Sequence, residues 1–222
     1  MNVLLVGFST TGKSSLINEL SGQLPDNVEM IDSDKAISKD FDGHIYKLFL
    51  AQHDIKDPIA RVSIMESIHQ GENNFIRDLK LKKQPYIAAI APNVHTRPEW
   101  HNFLYSVNPF VIFLKAEIES VYKGLKIREE KLYQTHKDNS GFGIWNLYVT
   151  RFYDEEKGQY LELPESVAKQ NISELIQINE KEYKKIANAT FEANEIASWH
   201  RDFQQIKKNE VLNLIKAKIM DT

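Results

Sequence analysis

A glycine-rich loop near the start of the chain constrains the fold more than any other feature of the sequence. A short apolar run, Val3–Val6, leads directly into Gly7-Phe8-Ser9-Thr10-Thr11-Gly12-Lys13-Ser14, which matches the pattern G-x-x-x-x-G-K-[ST]. The residues that follow, Lys13–Leu20, have a helical pattern. A chance glycine turn with a surface lysine would not need a strand before it and a helix after it. The loop therefore predicts an α/β fold that binds a nucleoside triphosphate.

Each position of the loop has its own physical role. Gly7 and Gly12 permit backbone angles that turn successive N–H groups inward, where they form an anion-binding nest beside a helix N-terminus. Lys13 can place its ammonium group against the β- and γ-phosphates, and the Ser14 hydroxyl can bind Mg²⁺. The expected nucleotide-binding residues are Gly7, Thr10, Thr11, Gly12, Lys13, Ser14 and Ser15.

Apolar runs and helix-patterned stretches alternate along the rest of the chain. Runs without polar alternation are typical of parallel strands buried on both faces, and there are five: Val3–Val6, Val28–Ile31, Tyr86–Ile90, Phe110–Leu114 and Ala189–Ala193. The predicted helices are Lys13–Leu20, Ile45–Gln52, Pro58–Lys80, Pro98–Val107 and Glu117–Gln134. Strands that alternate with helices need right-handed crossovers, so we predict a three-layer α/β P-loop NTPase fold with a five-stranded parallel sheet.

The segment between the fourth and fifth strands has a different pattern. From Lys131 to Glu180, glycines and aromatic residues are scattered among charges, which is typical of a mobile lid or of a packed helical insertion. We expect a single domain over residues 1–222, with an enlarged lid inserted at about residues 126–178. The tail Trp199–Met220 has apolar residues at helical spacing and is expected to pack on the core.

Composition excludes several classes of function. The chain has no cysteine, so disulfides, thiolate catalysis and cysteine-based zinc sites are excluded, and no pair of histidines has convincing zinc-site spacing. The formal net charge of -3 gives no electrostatic reason to expect nucleic acid or an anionic membrane as a partner. The first apolar run is too short for a signal peptide or a membrane span, so we expect a cytoplasmic protein.

Two carboxylates follow the second predicted strand. Asp32-Ser33-Asp34 would lie at the edge of the sheet where ligands bind in open α/β folds, on the same side as the glycine loop. One carboxylate could hold metal-bound water, and the other could accept a proton from a substrate hydroxyl. The alternative is that Asp34 only caps the helix that follows.

A GTPase switch protein is another class that uses such a loop. The segment Gly12–Leu20 is similar to the first motif of Era-like GTPases. Those proteins also need a guanine-reading Asn-Lys-x-Asp motif after a later strand, and this sequence has none. The D-x-x-G stretch at Asp40–Gly43 lies early in the chain and follows no predicted strand. The carboxylate pair therefore favours a kinase over a GTPase.

The sequence resembles the shikimate kinase family. The resemblance rests on the order of strands and helices and on four segments: the glycine loop, Asp32-Ser33-Asp34, Gly43–Phe49 and Tyr183–Ala187. It implies a fold like that of shikimate and nucleoside monophosphate kinases. It also implies that Lys13 and Ser14 serve ATP and Mg²⁺. Asp32 would then assist the metal, and Asp34 would hold and deprotonate the acceptor hydroxyl.

The departures from this family concern the acceptor. After the third strand the family has a triple glycine, whereas this chain has Ile90-Ala91-Pro92. A family arginine four positions before the tyrosine of the closing motif is replaced by Asn179, and a neutral amide cannot replace a bidentate guanidinium. Another family arginine, in a Gly-Glu-x-x-Phe-Arg motif, corresponds either to Arg77 or to Arg61. The expected substrate-binding residues are Asp34, Arg61 and Arg77.

A cation in the lid is expected to neutralise the transferring phosphoryl group. Arg128 and Lys126 lie near the end of the helix after the fourth strand, and Arg151 lies in the lid, although a solvated charged surface explains the same residues. The expected catalytic residues are Lys13, Asp34 and Arg128. Three more polar residues follow the third strand at the ligand edge: His95, Arg97 and His101.

The sequence thus predicts an ATP- and Mg²⁺-dependent kinase that phosphorylates a hydroxyl of a small polar metabolite, which need not be shikimate. A nucleotide-binding module without kinase chemistry is the alternative, because the acceptor site departs from the family pattern. The identity of the acceptor, the preference for ATP over GTP and the oligomeric state stay open.

Overall fold

A computed structural model of the chain describes residues 1–39, 58–135, 149–154, 156–157, 159–193 and 204–220. Its centre is a five-stranded sheet in the order β2-β3-β1-β4-β7, in which all neighbouring strands are parallel. The strands are β1 (Val3–Gly7), β2 (Glu29–Asp32), β3 (Tyr86–Ala89), β4 (Phe110–Lys115) and β7 (Ala189–Glu192). The predicted five-stranded parallel sheet is confirmed, and every strand overlaps its predicted apolar run.

The register of the parallel strands sets the edge where polar residues meet. β1 is buried along its whole length and pairs with β4 from Val3 to Gly7. On the other side of β1, β3 separates it from β2, whose last residue Asp32 lies opposite Ala89 of β3. Parallel strands end at the same edge of a sheet. The glycine loop after β1 and the carboxylates after β2 therefore lie on one side of the sheet.

Helices cover both faces of the sheet. They are α1 (Lys13–Leu20), α2 (Ser33–Lys39), α3 (Pro58–Leu81), α4 (Glu99–Val107), α5 (Ile118–Thr135), α6 (Glu165–Ile186) and α7 (Gln204–Met220), with a short 3-10 helix at Val94–Thr96. Successive side chains of a strand point to opposite faces. Leu4 and Val6 of β1 accordingly pack with α3, α4 and α6, whereas Val3 and Leu5 pack with α1 and α7. This is the predicted three-layer arrangement.

Most of the predicted helices are confirmed. α1 begins and ends as predicted, and α3, α4 and α5 match their predicted bounds to within one residue at each end. The C-terminal helix α7 packs on the core, as expected, through the buried side chains of Val211, Leu212, Ile215 and Ile219. The predicted helix Ile45–Gln52 lies outside the described residues. None of the helices in the described ranges is both long enough and apolar enough to cross a membrane.

The segment predicted as a lid contains a hairpin that sequence patterns did not predict. An antiparallel hairpin pairs β5 (Arg151–Asp154) with β6 (Gln159–Glu162), and the long helix α6 follows it. Ile172 and Ile176 of α6 pack with Val121 of α5 and with Phe8 of the glycine loop. The α6 portion of the segment is thus a packed helix, as the alternative of a packed helical insertion predicts. A movable lid stays a prediction for the remainder.

Gly7 provides a direct test of how β1 and β4 fit together. Its φ is +148°, and a Cβ at this position would lie 2.5 Å from the carbonyl oxygen of Leu114. Because this neighbour is backbone, it cannot move aside cheaply. We predict that Gly7→Ala lowers the free energy of unfolding by about 3 kcal/mol, from backbone strain and overpacking together. Urea denaturation of both proteins measures the difference.

Gly22→Ala is the matched control for this prediction. Gly22 also has a positive φ, of +77°, but a Cβ there would meet nothing within 4 Å. It should lose only about 1 kcal/mol, from backbone strain alone. Equal losses in the two variants would contradict the close β1–β4 contact.

Candidate functional site

The glycine loop has a backbone conformation that residues other than glycine rarely adopt. Gly7 (φ +148°), Thr10 (φ +68°) and Gly12 (φ +87°) all have positive φ, and Gly12 directly precedes α1. Glycine reaches such angles freely, whereas Thr10 is strained there, and strain of this kind concentrates at ligand-binding loops. The loop turns back on itself in front of the N-terminus of α1, an arrangement suited to binding phosphate.

Polar groups inside the loop are positioned for an anionic ligand. The Lys13 ammonium group is buried and donates hydrogen bonds to the carbonyl oxygens of Gly7 and Phe8, each at 2.8 Å. The buried Thr11 hydroxyl donates to the Phe8 carbonyl at 2.9 Å. The hydroxyl oxygen of Thr10 is also buried and has no hydrogen-bond partner in the described part of the chain. The buried Thr10 hydroxyl without a partner and the buried Lys13 ammonium group lie in the same loop. Together they suit a ligand with several charged oxygen atoms, such as a triphosphate.

The carboxylates after β2 are arranged by the start of α2. Asp32 Oδ1 accepts a hydrogen bond from the backbone N–H of Asp34 at 3.1 Å, so Asp32 rather than Asp34 caps the helix. Asp34 lies in the first turn of α2 and is half-buried. Only β3 separates β2 from β1, which puts the two strands about 10 Å apart. The carboxylates thus lie at the same edge of the sheet as the glycine loop, with one strand between them.

Oxygen ligands for a divalent metal are available both at the start of α1 and at the end of β2. Ser14 and Ser15 are exposed in the first turn of α1, and Asp32 is half-buried at the end of β2. Within the described ranges, no group of three or more His, Cys, Asp or Glu side chains could hold a metal ion. Mg²⁺ takes only one or two protein oxygens when it binds together with phosphates and water. The donor set of Ser14 and Asp32 fits that mode of binding.

The loop after β3 is anchored on two sides. The Ser33 hydroxyl accepts a hydrogen bond from the backbone N–H of Ala91 at 2.7 Å, which ties the loop to the start of α2. The Tyr183 hydroxyl of α6 donates to the Pro92 carbonyl at 3.0 Å, which ties it to the opposite side. Nδ1 of the buried His95 contacts the same carbonyl, and burial lowers the pKa of this histidine. The loop is therefore a fixed wall of the candidate site.

A buried ion pair lies near Asp34. Glu72 of α3 is only 5% exposed, and its Oε2 lies 3.0 Å from Nε of Arg97, which follows the 3-10 helix. Burial raises the pKa of Glu72 to about 7, the Arg97 guanidinium opposes this shift, and Asp34 adds to it. A carboxyl group with such a pKa, close to a second carboxylate, is typical of functional sites.

The sequence predicted Arg97 at this edge, whereas Glu72 was part of the segment compared with the Gly-Glu-x-x-Phe-Arg motif and was not predicted as a site residue. Glu72 lies on the core-facing side of α3, in one stripe with Ile68, Ile76 and Leu79. A glutamate inside an apolar helical stripe is a signal that could have identified it, because buried carboxylates occur almost only with partners.

The structure describes the side chains of only some of the other residues singled out in the sequence. Arg77 is exposed, and its Nη2 pairs with Glu99 Oε1 at 2.6 Å. The backbones of Arg61 and Arg128 belong to α3 and α5, but their side chains lie outside the described residues. Asn179 is buried on α6, where its Nδ2 donates to the Leu175 carbonyl at 2.7 Å.

Two lid cations share one carboxylate. Glu162 Oε1, at the end of the hairpin, lies 2.6 Å from the Lys126 ammonium nitrogen and 3.2 Å from Arg151 Nη2. The Lys126 hydrogen bond lowers the pKa of Glu162. Val149, just before the hairpin, packs in one cluster with Phe8 of the glycine loop. Glu162 therefore holds Lys126 and Arg151 together, and Leu125, next to Lys126, belongs to the same cluster as Phe8.

Comparison with known proteins identifies the fold. The sequence matches no protein-family model and no curated protein. The structure is similar to shikimate kinase from Bacteroides thetaiotaomicron (TM-score 0.62, 14% identity, 97% of this chain and 98% of that chain). It is also similar to shikimate kinase from Acinetobacter baumannii in complex with shikimate (TM-score 0.57, 18% identity, 98% and 93%). Shikimate kinase from Aquifex aeolicus matches over 99% of both chains, at TM-score 0.52 and 18% identity.

These similarities cover nearly the whole chain, so the protein has a shikimate kinase-like P-loop kinase fold, as the sequence predicted. At such low identity they establish the fold alone, and the reaction has to be argued from the residues.

The raised pKa of Glu72 predicts how stability depends on pH. Since the folded protein keeps this proton up to about pH 7 and the unfolded chain releases it near pH 4.5, stability is lost as the pH rises through this window. Glu72→Gln imitates the protonated form at every pH. The variant should therefore gain about 2 to 3 kcal/mol of unfolding free energy relative to wild type between pH 5 and pH 8. Urea denaturation across that range measures it.

Glu99→Gln is the matched control, because it alters the exposed ion pair between Glu99 and Arg77, which lies on the same helix as Glu72. Exposed ion pairs contribute less than about 1 kcal/mol to stability. The unfolding free energy of Glu99→Gln should therefore differ little from that of wild type at every pH. A Glu72→Gln difference that stays constant across the range would contradict the protonated state inferred for Glu72.

Proposed function

We propose that the protein is an ATP- and Mg²⁺-dependent kinase that transfers the γ-phosphoryl group to a hydroxyl of a small polar metabolite. The observation that carries this proposal is that Asp34 follows β2 at the same sheet edge as the glycine loop, with the single strand β3 between β2 and β1. A triphosphate held by the loop could extend its terminal phosphate toward this carboxylate. A cytoplasmic location belongs to the same proposal.

The nucleotide half of the site consists of the glycine loop and α1. The N–H groups of the loop, with Thr10, Thr11 and Ser15, would bind the phosphate oxygens. Lys13 would exchange its two carbonyl partners for the β- and γ-phosphates. Ser14 and Asp32 would hold Mg²⁺, Asp32 through water, and the bound metal would neutralise charge on the phosphate oxygens.

Asp34 would act on the acceptor. Its carboxylate would hold the acceptor hydroxyl in line with the γ-phosphorus and accept its proton. The new bond forms between the acceptor oxygen and the γ-phosphorus while the bond to the β-phosphate oxygen breaks, so ADP leaves and the proton passes from Asp34 to water. Arg61 stays the proposed arginine for acceptor binding, since Arg77 is engaged with Glu99.

Arg128 is proposed as the lid cation that stabilises charge on the transferring group. Arg128 follows Lys126 by two residues in α5, and Lys126 pairs with Glu162 of the hairpin. Lys126 and Arg151 share Glu162, so they are partly neutralised where they lie.

A nucleotide-binding module without kinase chemistry is the second candidate. It is favoured by the anchored loop Ile90-Ala91-Pro92 and by Asn179, which stand where the family has its shikimate-binding glycines and an arginine. Mg·ATP binding without phosphoryl transfer to any metabolite would support this candidate.

Lys13 and Asp34 should affect different steps. Lys13→Ala should weaken Mg·ATP binding by about 100-fold, because it removes a charged contact with two phosphates. Asp34→Asn should leave that affinity nearly unchanged and reduce phosphoryl transfer by about 100-fold or more, because it removes the proton acceptor. Calorimetry measures binding, and transfer of labelled γ-phosphate to a fractionated metabolite pool measures the reaction.

Lys39→Ala, an exposed change in the last turn of α2, is the control and should alter neither quantity. Full transfer activity in both Lys13→Ala and Asp34→Asn would show that the proposed mechanism is wrong.

The lid cation can be identified by comparing three variants. Arg128→Ala should lower the transfer rate by about 100-fold and change Mg·ATP affinity little, because its contact forms in the transition state. Lys123 lies on the same helix and pairs with the exposed Glu119, so Lys123→Ala should change neither the transfer rate nor the Mg·ATP affinity. A normal rate in Arg128→Ala together with a large loss in Arg151→Ala would assign the role to Arg151 instead.

A further inference from the structure

Phe8 belongs to two parts of the structure at once. Its backbone lies in the glycine loop, where its carbonyl oxygen accepts hydrogen bonds from the Lys13 ammonium group at 2.8 Å and from the Thr11 hydroxyl at 2.9 Å. Its side chain is only 8% exposed and packs against elements outside the loop. The pattern G-x-x-x-x-G-K-[ST] leaves this position open, so phosphate binding alone does not require an aromatic residue here.

The Phe8 side chain lies in an apolar cluster that joins α5, α6 and the segment just before the hairpin. All members of this Phe8 cluster are buried, and besides Phe8 they are Val121, Leu125, Val149, Ile172 and Ile176. The structure describes every residue of the loop from 7 to 14, and Phe8 is the loop residue that belongs to this cluster. Close-packed side chains leave little free volume, so a shift of the Phe8 ring has to move its neighbours.

The neighbours of Phe8 lead directly to the cations of the hairpin region. Leu125 precedes Lys126 in α5, and Val149 comes two residues before Arg151 in β5. Lys126 and Arg151 meet at Glu162 Oε1, at 2.6 Å and 3.2 Å. The strands of the hairpin pair from Arg151 to Glu162, so a movement of its first strand is carried to this carboxylate.

Lys13 gives the Phe8 carbonyl two possible environments. In the structure the Lys13 ammonium group binds this carbonyl. In the proposed function the same ammonium group turns to the β- and γ-phosphates, so the carbonyl loses this donor and keeps that of Thr11. The peptide group after Phe8 is then held differently, and the ring that packs outside the loop shifts with it. Coupling between two sites requires an element of this kind, whose equilibrium both sites can bias.

We propose that Phe8 is a positioning residue that couples nucleotide binding in the glycine loop to the hairpin β5–β6 and to the cations that meet at Glu162. A phosphate bound by the loop fixes its backbone, which fixes the Phe8 ring and through it Leu125 and Val149. The hairpin therefore becomes more ordered when the loop is occupied. The inference rests on the nucleotide half of the proposed function and does not require phosphoryl transfer.

Hydrogen exchange measured by mass spectrometry tests the coupling. Peptides that cover residues 151–162 are followed in wild-type protein, with and without Mg²⁺ and a non-hydrolysable ATP analogue, and calorimetry shows that the analogue is bound. The analogue should slow exchange of the hairpin amides by about fivefold or more, because it reduces local opening of the hairpin.

Substitutions on both sides of the contact make the test specific. Phe8→Ala should abolish the slowing while the analogue still binds, and Phe8→Leu, which keeps an apolar side chain, should retain it. Val149→Ala removes the same contact from the hairpin side and should also abolish it. Val211→Ala is the matched control, because Val211 is equally buried but packs on the other face of the sheet, and this variant should keep the slowing.

Four results would overturn the inference. The first is unchanged hairpin exchange in wild type with the analogue bound, and the second is full slowing in both Phe8→Ala and Val149→Ala. The third is equal loss in Val211→Ala, because loss of stability alone would then explain the effect. The fourth is failure of the analogue to bind wild type, which would also refute the nucleotide half of the proposed function.

Transfer of labelled γ-phosphate separates the inference from the kinase proposal. If the hairpin responds to the analogue through Phe8 and no metabolite is phosphorylated, the kinase proposal fails and the coupling stands. If a metabolite is phosphorylated and the hairpin does not respond, the kinase proposal stands and the coupling fails.

Discussion

Backbone hydrogen bonds between parallel strands hold the whole candidate site together. β1 pairs with β4 up to Gly7, and β2 pairs with β3 up to Asp32. This register brings the glycine loop and the two carboxylates to one edge of the sheet. Although 24 residues lie between Gly7 and Asp32 in the sequence, the strands that carry them are both paired with β3. The contact of Gly7 with Leu114 leaves no room for a side chain, so strand pairing and loop geometry depend on the same residue.

The parts of the fold that could be predicted are those set by local pattern. Unbroken apolar runs such as Phe110–Leu114 need burial on both faces, and the spacing of glycines around Lys13 needs a strand before it and a helix after it. Glu72 could not be placed in the same way, because its partner Arg97 is distant in sequence and is brought close only by the packing of α3. The hairpin at Arg151–Glu162 was missed because its strands are short and their residues do not alternate clearly.

The two halves of the site differ in how the fold uses polar groups. In the glycine loop, the strained Thr10 and the buried Lys13 lie at a helix N-terminus, where an anion is favoured by geometry alone. On the other side, Glu72 and Asn179 occupy core positions that apolar residues would fill with greater stability. Retaining them costs stability. The structure thus combines a loop suited to phosphate with a second region in which polar side chains occupy core positions.

The most direct test of the account is a crystal structure of the protein with Mg²⁺ and a non-hydrolysable ATP analogue. We predict that the β- and γ-phosphates lie in the loop Gly7–Ser14, that the metal contacts the Ser14 hydroxyl, and that the terminal phosphate faces Asp34 with room for one hydroxyl between them. A terminal phosphate directed away from Asp34, or an analogue bound elsewhere on the protein, would contradict the account.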